Sequence, residues 1–195
     1  ARSMILEGLV TTVTLEGRPH VSAMGPTVRE DEVAAGHLHG LVLRPFATSQ
    51  TAAHLLRTRC GVFHLSDDVL LLARVVAGEA GENEVQPARR VSGFVLARAC
   101  RAFEFEVTAV DDSAERLRLE AQVVATHELR PFTGFNRAAH AVVEAAILVT
   151  RLHLLEPQDV QQQFSDLALL VEKTGGPREH EAFALLARCT ASRRA

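Results

Sequence analysis

The chain has 195 residues, of which 47% are hydrophobic and 23% are charged, and its 21 basic and 24 acidic side chains give a formal net charge of −3. This length suits one domain, or one domain with an extension, and the apolar fraction excludes wholesale disorder. The balanced charge and a pI near 6.3 argue against a broad basic surface for nucleic acid. No uncharged apolar run reaches the roughly 20 residues of a membrane span. Glu7 stands where a secretory peptide needs apolar residues, so we expect a cytoplasmic protein.

The first part of the sequence reads as short strands separated by turns. Residues 5–14 are rich in Val, Thr, Leu and Ile, and the turn residues 16–19 end this strand. A second strand is predicted at 20–25 and a third at 41–46, where Pro45 forces the strand end or an edge position.

A helix then interrupts the strands. Residues 47–51 are a run of helix-capping types, and 52–59 are good helix formers, with Gly61 expected to end the helix. A second short helix is predicted at 69–76. The acidic, glycine-containing segment 78–87 is expected to be a mobile loop.

The alternation of apolar and polar residues predicts a hairpin of strands 102–110 and 117–126. Phe103 and Phe105 share one face, while Glu104 lies on the other, so we expect this hairpin to be half-buried. After residue 131 the period becomes helical.

Three helices are expected at the C-terminal end. Residues 136–155 are apolar almost all round, Pro157 suits the first turn of the next helix, and Pro177 opens a last helix that runs to about residue 191. The residues alone therefore predict an antiparallel β domain with an inserted capped helix, followed by a helical tail.

The sequence contains none of the common nucleotide-binding, zinc-protease or serine-hydrolase motifs. Among the nine histidines only His37 and His39 are close together, and their glycine-flanked loop favours a surface position over a metal site. Cys60, Cys100 and Cys189 form an odd set without a C-x-x-C spacing, which is typical of reduced thiols. No catalytic residue is assigned.

The best local indication of binding is Arg44 followed by Thr48, Ser49, Gln50 and Thr51 at the start of a helix. Such a start presents unpaired backbone N–H groups and the positive end of the helix dipole, and hydroxyls with a guanidinium would complete a phosphate site. In the alternative interpretation, Ser49 or Thr51 only caps the helix and Arg44 pairs with a carboxylate.

A second candidate is the pair Asn136 and Arg137 at the start of the apolar helix 136–155. The pair could contact a ligand, or it could simply cap the helix, which is the commoner role of such residues.

Six stretches of the sequence carry a resemblance to a known family: 4–12, 24–26, 43–49, 61–64, 134–138 and 172–179. Together they resemble flavin-reductase-like proteins with the FMN-binding split-barrel fold, a family associated with microbes that use tetrahydromethanopterin. The resemblance spans about residues 4–186. It implies a mainly β fold with α-helices, in which residues 1–133 form a split β-barrel and residues 134–195 a helical extension packed on the barrel and on a dimer partner. It also implies a homodimer with FMN bound at the subunit interface.

The resemblance assigns candidate FMN-binding residues. In similar split barrels the strand-to-helix corner holds the ribityl phosphate, and this corner comprises Arg44, Pro45, Phe46, Thr48, Ser49, Gln50 and Thr51. It places Met24 and Gly25 against the flavin ring, because a glycine allows the backbone to approach a flat ligand. His64 stands where related flavin reductases carry a ring-contacting polar residue, or it is a strand histidine with a purely structural role. Asn136 and Arg137 complete the set.

We therefore expect an FMN-dependent oxidoreductase that acts on a small molecule, and the resemblance suggests a pterin cofactor pathway as its setting. FMN supplies its own redox chemistry, which suits a chain without a catalytic constellation. One alternative is a homodimer that carries or senses flavin or deazaflavin without turnover, and another is an enzyme like pyridoxal-phosphate oxidase. No nicotinamide-binding motif is present, so the electron donor stays open.

Overall fold

The computed structural model describes residues 2–192, which form two compact units. The first unit runs to Ser66 and resumes over Asn83–Pro131, and the second comprises Asp67–Glu82 and the residues from Phe132 onward. The strands are β1 (Ser3–Ile5), β2 (Gly8–Val13), β3 (Pro19–Met24), β4 (Thr27–Arg29), β5 (Gly40–Leu43), β6 (Cys60–Leu65), β7 (Val85–Pro87), β8 (Phe94–Leu96), β9 (Arg101–Asp111) and β10 (Arg118–Glu128). The helices are α1 (Glu30–Ala34), α2 (Gln50–Thr58), α3 (Val69–Ala77), α4 (Arg137–Thr150), α5 (Pro157–Thr174) and α6 (Pro177–Ser192), with a 3₁₀ turn at Leu152–Leu154.

The first unit is built on an eight-stranded sheet of order β1-β4-β5-β10-β9-β6-β2-β3, in which all neighbours are antiparallel. The predicted hairpin is the pair β9–β10 at the centre of this sheet. Its register shifts twice, between Glu120 and Ala121 and between Val123 and Ala125. Such bulges bend a strand and increase its twist, so the sheet curls around its core.

Phe63, Phe103 and Phe105 form the centre of that core, as the alternation in β9 predicts. Gly61 belongs to this packing, because a Cβ there would lie 2.8 Å from the Phe105 ring. The glycine therefore serves the close packing of β6. The helix before it ends at Thr58, and Arg59 adopts a left-handed conformation with φ of 56°.

Residues 85–97, called here the covering segment, lie over the outer face of the sheet. The sequence predicts a mobile loop up to residue 87, but Val85–Pro87 forms β7 and pairs with β8. Polar side chains of the sheet bind the backbone of this segment: Thr11 donates a hydrogen bond to the carbonyl of Phe94, and the Cys60 thiol lies 3.6 Å from the carbonyl oxygen of Ser92. Apolar contacts add to these polar ones, since Val95 of the segment packs against Val62 and Ala102 of the sheet.

Glu104 makes the most extensive of these attachments. Its carboxylate is fully buried and accepts the N–H groups of Arg89 and Arg90 at 2.7 Å and that of Val91 at 3.0 Å. His127 Nε2 lies 2.6 Å from the same carboxylate. Burial alone would raise the pKa of Glu104, but the three N–H groups and His127 outweigh it, and the pKa lies below its usual value. The expectation that this face of β9 is exposed is wrong at Glu104, because the covering segment lies on it.

The second unit consists of helices. Buried residues of α3, α4 and α6 form one core: Val69, Leu70, Ala73, Val142, Ala145, Ala146, Val149, Ala182, Leu185 and Leu186. The segment 67–82 therefore belongs with the C-terminal helices, although the sequence division at residue 133 assigns it to the barrel. The apolar surface of α3 explains the difference, since it is buried against α4 and α6, which begin 60 and 100 residues after α3 ends.

Candidate functional site

The corner of residues 44–51 joins the end of β5 to the start of α2. Ser49 caps the helix, since its Oγ accepts a hydrogen bond from the N–H of Ala52 at 3.1 Å and donates one to the carbonyl of Phe46 at 2.7 Å. The hydroxyl therefore acts as an acceptor in one of these bonds and as the donor in the other. Ser49 therefore shapes the corner, as the capping interpretation predicts.

Several donors at this corner remain open. The side chains of Arg44, Thr48 and Gln50 are exposed, and the guanidinium of Arg44 has no ion pair or hydrogen bond with any residue between 2 and 192. The N–H groups of Gln50 and Thr51 stand in the first turn of α2, where the helix itself supplies no acceptor. A guanidinium, a hydroxyl and a helix start with this geometry can bind a phosphate.

Arg116 adds a second guanidinium, which the sequence did not indicate. Its guanidinium carbon lies 3.9 Å from the centre of the Phe46 ring, and its Nη1 donates to the carbonyl of Arg44 at 3.3 Å. Pro45 is buried and its carbonyl accepts the N–H of Leu117 at 3.0 Å. Pro45 and Phe46 therefore anchor the corner to the residues before β10, and nothing local in the sequence reveals a partner so far along the chain.

Thr51 points inward. Its side chain is 4% exposed, and its Oγ1 lies 3.4 Å from Nε2 of His20 on β3. The hydroxyl is thus directed at the protein, and only the backbone N–H of Thr51 is available to a ligand. His54, on the next turn of α2, packs its ring edge-on to that of His20. Burial lowers the pKa of both histidines, and their mutual proximity lowers that of His20 further.

Met24 and Gly25 lie at the end of β3. Met24 is half-buried and packs against the core of the first unit. A Cβ on Gly25 would lie 2.6 Å from Cγ2 of Ile5 and 2.9 Å from Oε2 of Glu7. The close approach that requires this glycine is therefore made by the chain's own N-terminal side chains.

His64 has a structural role. Its ring is fully buried on β6, where Nε2 accepts the N–H of Leu96 at 3.0 Å and Nδ1 lies 3.2 Å from the carbonyl of Leu9. Since Nε2 is an acceptor, Nδ1 carries the proton and donates it to that carbonyl. Both nitrogens are used within the sheet and the covering segment. Of the two interpretations of His64, the structure therefore favours a strand histidine with a structural role over a contact with a flavin ring.

The burial of His64 makes stability depend on pH. Burial lowers the pKa of His64 to about 4, whereas an unfolded chain titrates near 6.5. Between these values the unfolded state binds a proton that the folded state does not, so the free energy of unfolding falls on acidification by up to about 1.4 kcal/mol per pH unit. We expect His64→Gln, although less stable at pH 7, to lose less stability between pH 6.5 and 4.5 than the wild type. Urea unfolding followed by circular dichroism at several pH values measures this, and equal slopes in both proteins would contradict it.

Asn136 and Arg137 belong to the second unit. Asn136 caps α4, accepting the N–H of Ala139 at 3.0 Å through Oδ1 and donating to the carbonyl of Thr174 at 3.0 Å. The capping interpretation accounts for Asn136. Arg137 is exposed and has no ion pair among the residues that the structure describes. It keeps its guanidinium available for a ligand.

Three further observations concern the described part of the chain. Residues 2–192 contain no group of three or more His, Cys, Asp or Glu side chains that could hold a metal ion. Cys60 and Cys189 are free thiols. None of the helices between residues 2 and 192 is both long enough and apolar enough to cross a membrane.

Two family models match most of the chain. "Protein of unknown function (DUF447) N-terminal domain" matches residues 6–130, and "Protein of unknown function (DUF447)" matches residues 136–188 through its C-terminal model. No curated protein matches the chain.

Solved structures share the fold at low sequence identity. An FMN-bound DUF447 protein from Methanosarcina mazei is 20% identical, with a TM-score of 0.79 over 96% of both chains. An FMN-binding protein from Thermus thermophilus is 16% identical, with a TM-score of 0.52 over 65% of this chain and 71% of its own. A flavoredoxin from Methanosarcina acetivorans is 12% identical, with a TM-score of 0.52 over 65% of this chain and 69% of its own. These likenesses confirm the predicted fold, a mainly β split barrel with C-terminal helices.

Proposed function

Because the chain belongs to the DUF447 family, and because the flavin-protein fold is combined here with an open anion site, we propose that it is an FMN-binding flavoprotein. The observation that carries the proposal is the corner of residues 44–51. There the exposed guanidinium of Arg44 and the first N–H groups of α2 lack partners within residues 2–192. The proteins from Methanosarcina mazei and Thermus thermophilus with this fold are described as binding FMN.

The corner fits the phosphate of FMN in charge and in donor type. Arg44 would supply a charge-assisted hydrogen bond, and the N–H groups of Gln50 and Thr51 would bind the phosphate oxygens at the positive end of the helix dipole. Thr48, through its exposed hydroxyl, and Arg116, through its neighbouring guanidinium, complete the set. Bound FMN supplies redox chemistry, and the residues of this corner hold and orient it.

We further propose that the protein is an oxidoreductase for a small molecule of a pterin cofactor pathway. The support is the resemblance of the sequence to proteins of microbes that use tetrahydromethanopterin, together with the Methanosarcina proteins among the structures of this fold. Turnover of the flavin with oxidised or reduced pterins, and with NADH or NADPH as donor, tests this narrower proposal. Binding of FMN without turnover of any of these would instead favour a carrier or sensor.

We expect the purified protein to bind FMN at about one molecule per subunit. The sequence has neither Trp nor Tyr, so the apoprotein absorbs weakly at 280 nm and the flavin bands dominate the spectrum. The visible spectrum and the quenching of added FMN fluorescence measure the binding. A colourless protein that leaves the fluorescence of FMN unchanged would refute the proposal, and a pyridoxal-phosphate spectrum would point to the other enzyme class.

We also propose a homodimer. The apolar residues of α4 are covered within the second unit and do not themselves require a partner. The remaining support is the exposure of Phe135, at 91%, and of Phe132, at 53%, together with the resemblance to dimeric split barrels. Sedimentation at micromolar concentration is expected to give twice the chain mass of 21.2 kDa. A monomer under these conditions would contradict the proposal.

A further inference from the structure

The start of α2 is joined to the β2–β3 hairpin by a chain of polar side chains. Thr12 Oγ1 lies 2.9 Å from Nδ1 of His54, and Thr51 Oγ1 lies 3.4 Å from Nε2 of His20. The two imidazole rings meet edge to face, with their centres 5.1 Å apart. Thr12 and Thr51 are 1% and 4% exposed, so both hydroxyls are directed into the contact.

This chain fixes the helix at the point where the phosphate site is proposed. Ser49 ties the helix start only to the turn before it, through Phe46. Thr51 and His54 instead tie the first two turns of α2 to a separate pair of strands. Thr51 carries one of the N–H groups of the proposed site, and its side chain is held by His20. A shift of this contact therefore moves the donors that face the ligand.

We propose that His20 and His54 are positioning residues for phosphate binding, which hold the start of α2 in place through uncharged imidazoles. The inference rests on the proposed function of the corner of residues 44–51. Neither histidine is assigned a contact with the ligand, because Nε2 of His20 is directed at Thr51 and Nδ1 of His54 at Thr12.

The surroundings of the two rings favour the uncharged state. His54 faces Arg57 on its own helix and Glu16 in the turn between β2 and β3, while His20 faces His54. Glu16 in turn lies near Arg18 and Arg57. If both rings were protonated, two like charges would stand 5.1 Å apart beside a guanidinium. Acid is therefore expected to separate α2 from the hairpin and to weaken binding of the phosphate.

The test uses substitutions that keep or remove single ring atoms. An asparagine amide can replace Nδ1 and a glutamine amide can replace Nε2, and neither titrates. His54→Asn and His20→Gln thus keep the contacts without a charge, whereas His54→Phe and His20→Phe keep the ring shape without the polar atom. His37→Phe, at an exposed loop position, is the matched control.

Titration of FMN and of riboflavin, followed by flavin fluorescence at pH 7.5 and 5.5, gives the affinities. At pH 7.5 we expect each Phe variant to bind FMN about three- to tenfold more weakly, the loss of one hydrogen bond, with riboflavin unchanged. His54→Asn and His20→Gln should match the wild type. At pH 5.5 the wild type should lose more FMN affinity than these two variants. The second ionisation of the phosphate, near pH 6, is common to all of them and cancels in that comparison.

Other results would overturn the inference. Equal weakening of FMN and riboflavin in the Phe variants would show a general structural role. A gain of FMN affinity by the wild type over His54→Asn and His20→Gln at pH 5.5 would show a direct contact of a charged histidine with phosphate. If a Phe variant does not fold, the pH comparison decides alone. A wild type that binds neither flavin refutes the proposed function itself, whereas flavin binding without these differences refutes only the positioning role.

Discussion

We expect Glu104→Ala to lower the free energy of unfolding by about 3–5 kcal/mol, because it removes a fully buried carboxylate that accepts several hydrogen bonds. The substitution leaves the N–H groups of Arg89, Arg90 and Val91 and the ring of His127 without their acceptor. A buried donor without a partner costs about 1–3 kcal/mol, so the loss is large even if the covering segment relaxes. For a domain with a typical stability of about 5–15 kcal/mol, this change is severe.

Urea unfolding at pH 7, followed by far-ultraviolet circular dichroism, measures this effect in a chain without Trp. The matched control is Glu106→Ala, two residues along the same strand and exposed, for which we expect a change within about 0.5 kcal/mol. Amide hydrogen exchange at residues 89–91 should accelerate in Glu104→Ala alone. If the two variants unfold at the same urea concentration, the covering segment is held by its other contacts.

The sequence was informative wherever a structure depends on neighbours in the chain. The alternation of Phe103 and Phe105 identified the core face of β9. The capping residues 47–51 placed the start of α2 within two residues, and Ser49 was one of the two caps they offered. The prolines at 157 and 177 marked the starts of α5 and α6. In each case the physical cause, a strand period or an unpaired helix terminus, lies within a few residues.

The rest depends on contacts between distant segments. Glu104 reads as a solvent-facing strand residue, and only the covering segment turns it into a buried acceptor. His64 could be given a ligand or a structural role from sequence, and the N–H of Leu96 decides between them. Arg116 joins the corner of residues 44–51 by stacking on Phe46, although 70 positions separate the two residues and no motif links them. Local patterns carry no information on such pairs.

Arg44→Ala is expected to weaken FMN binding by about 10- to 150-fold, which corresponds to the loss of a charge-assisted hydrogen bond worth roughly 1.5–3 kcal/mol. The guanidinium of Arg44 is exposed and has no ion pair within residues 2–192, so its removal should leave the fold intact. Riboflavin lacks the phosphate, and its affinity should hardly change. Titration of both ligands into both proteins, with flavin fluorescence as the signal, gives the ratio of FMN to riboflavin affinity in the wild type and in the variant.

The control is Arg98→Ala, which changes another exposed arginine of the same unit. A similar loss of FMN affinity in both variants would indicate a general effect of net charge, which falls with increasing salt. A specific contact with the phosphate should persist in moderate salt, because the N–H groups of Gln50 and Thr51 fix the position of the anion beside Arg44. An unchanged ratio of FMN to riboflavin affinity in Arg44→Ala would rule out its role, and the phosphate would then have to be held elsewhere than at the corner of residues 44–51.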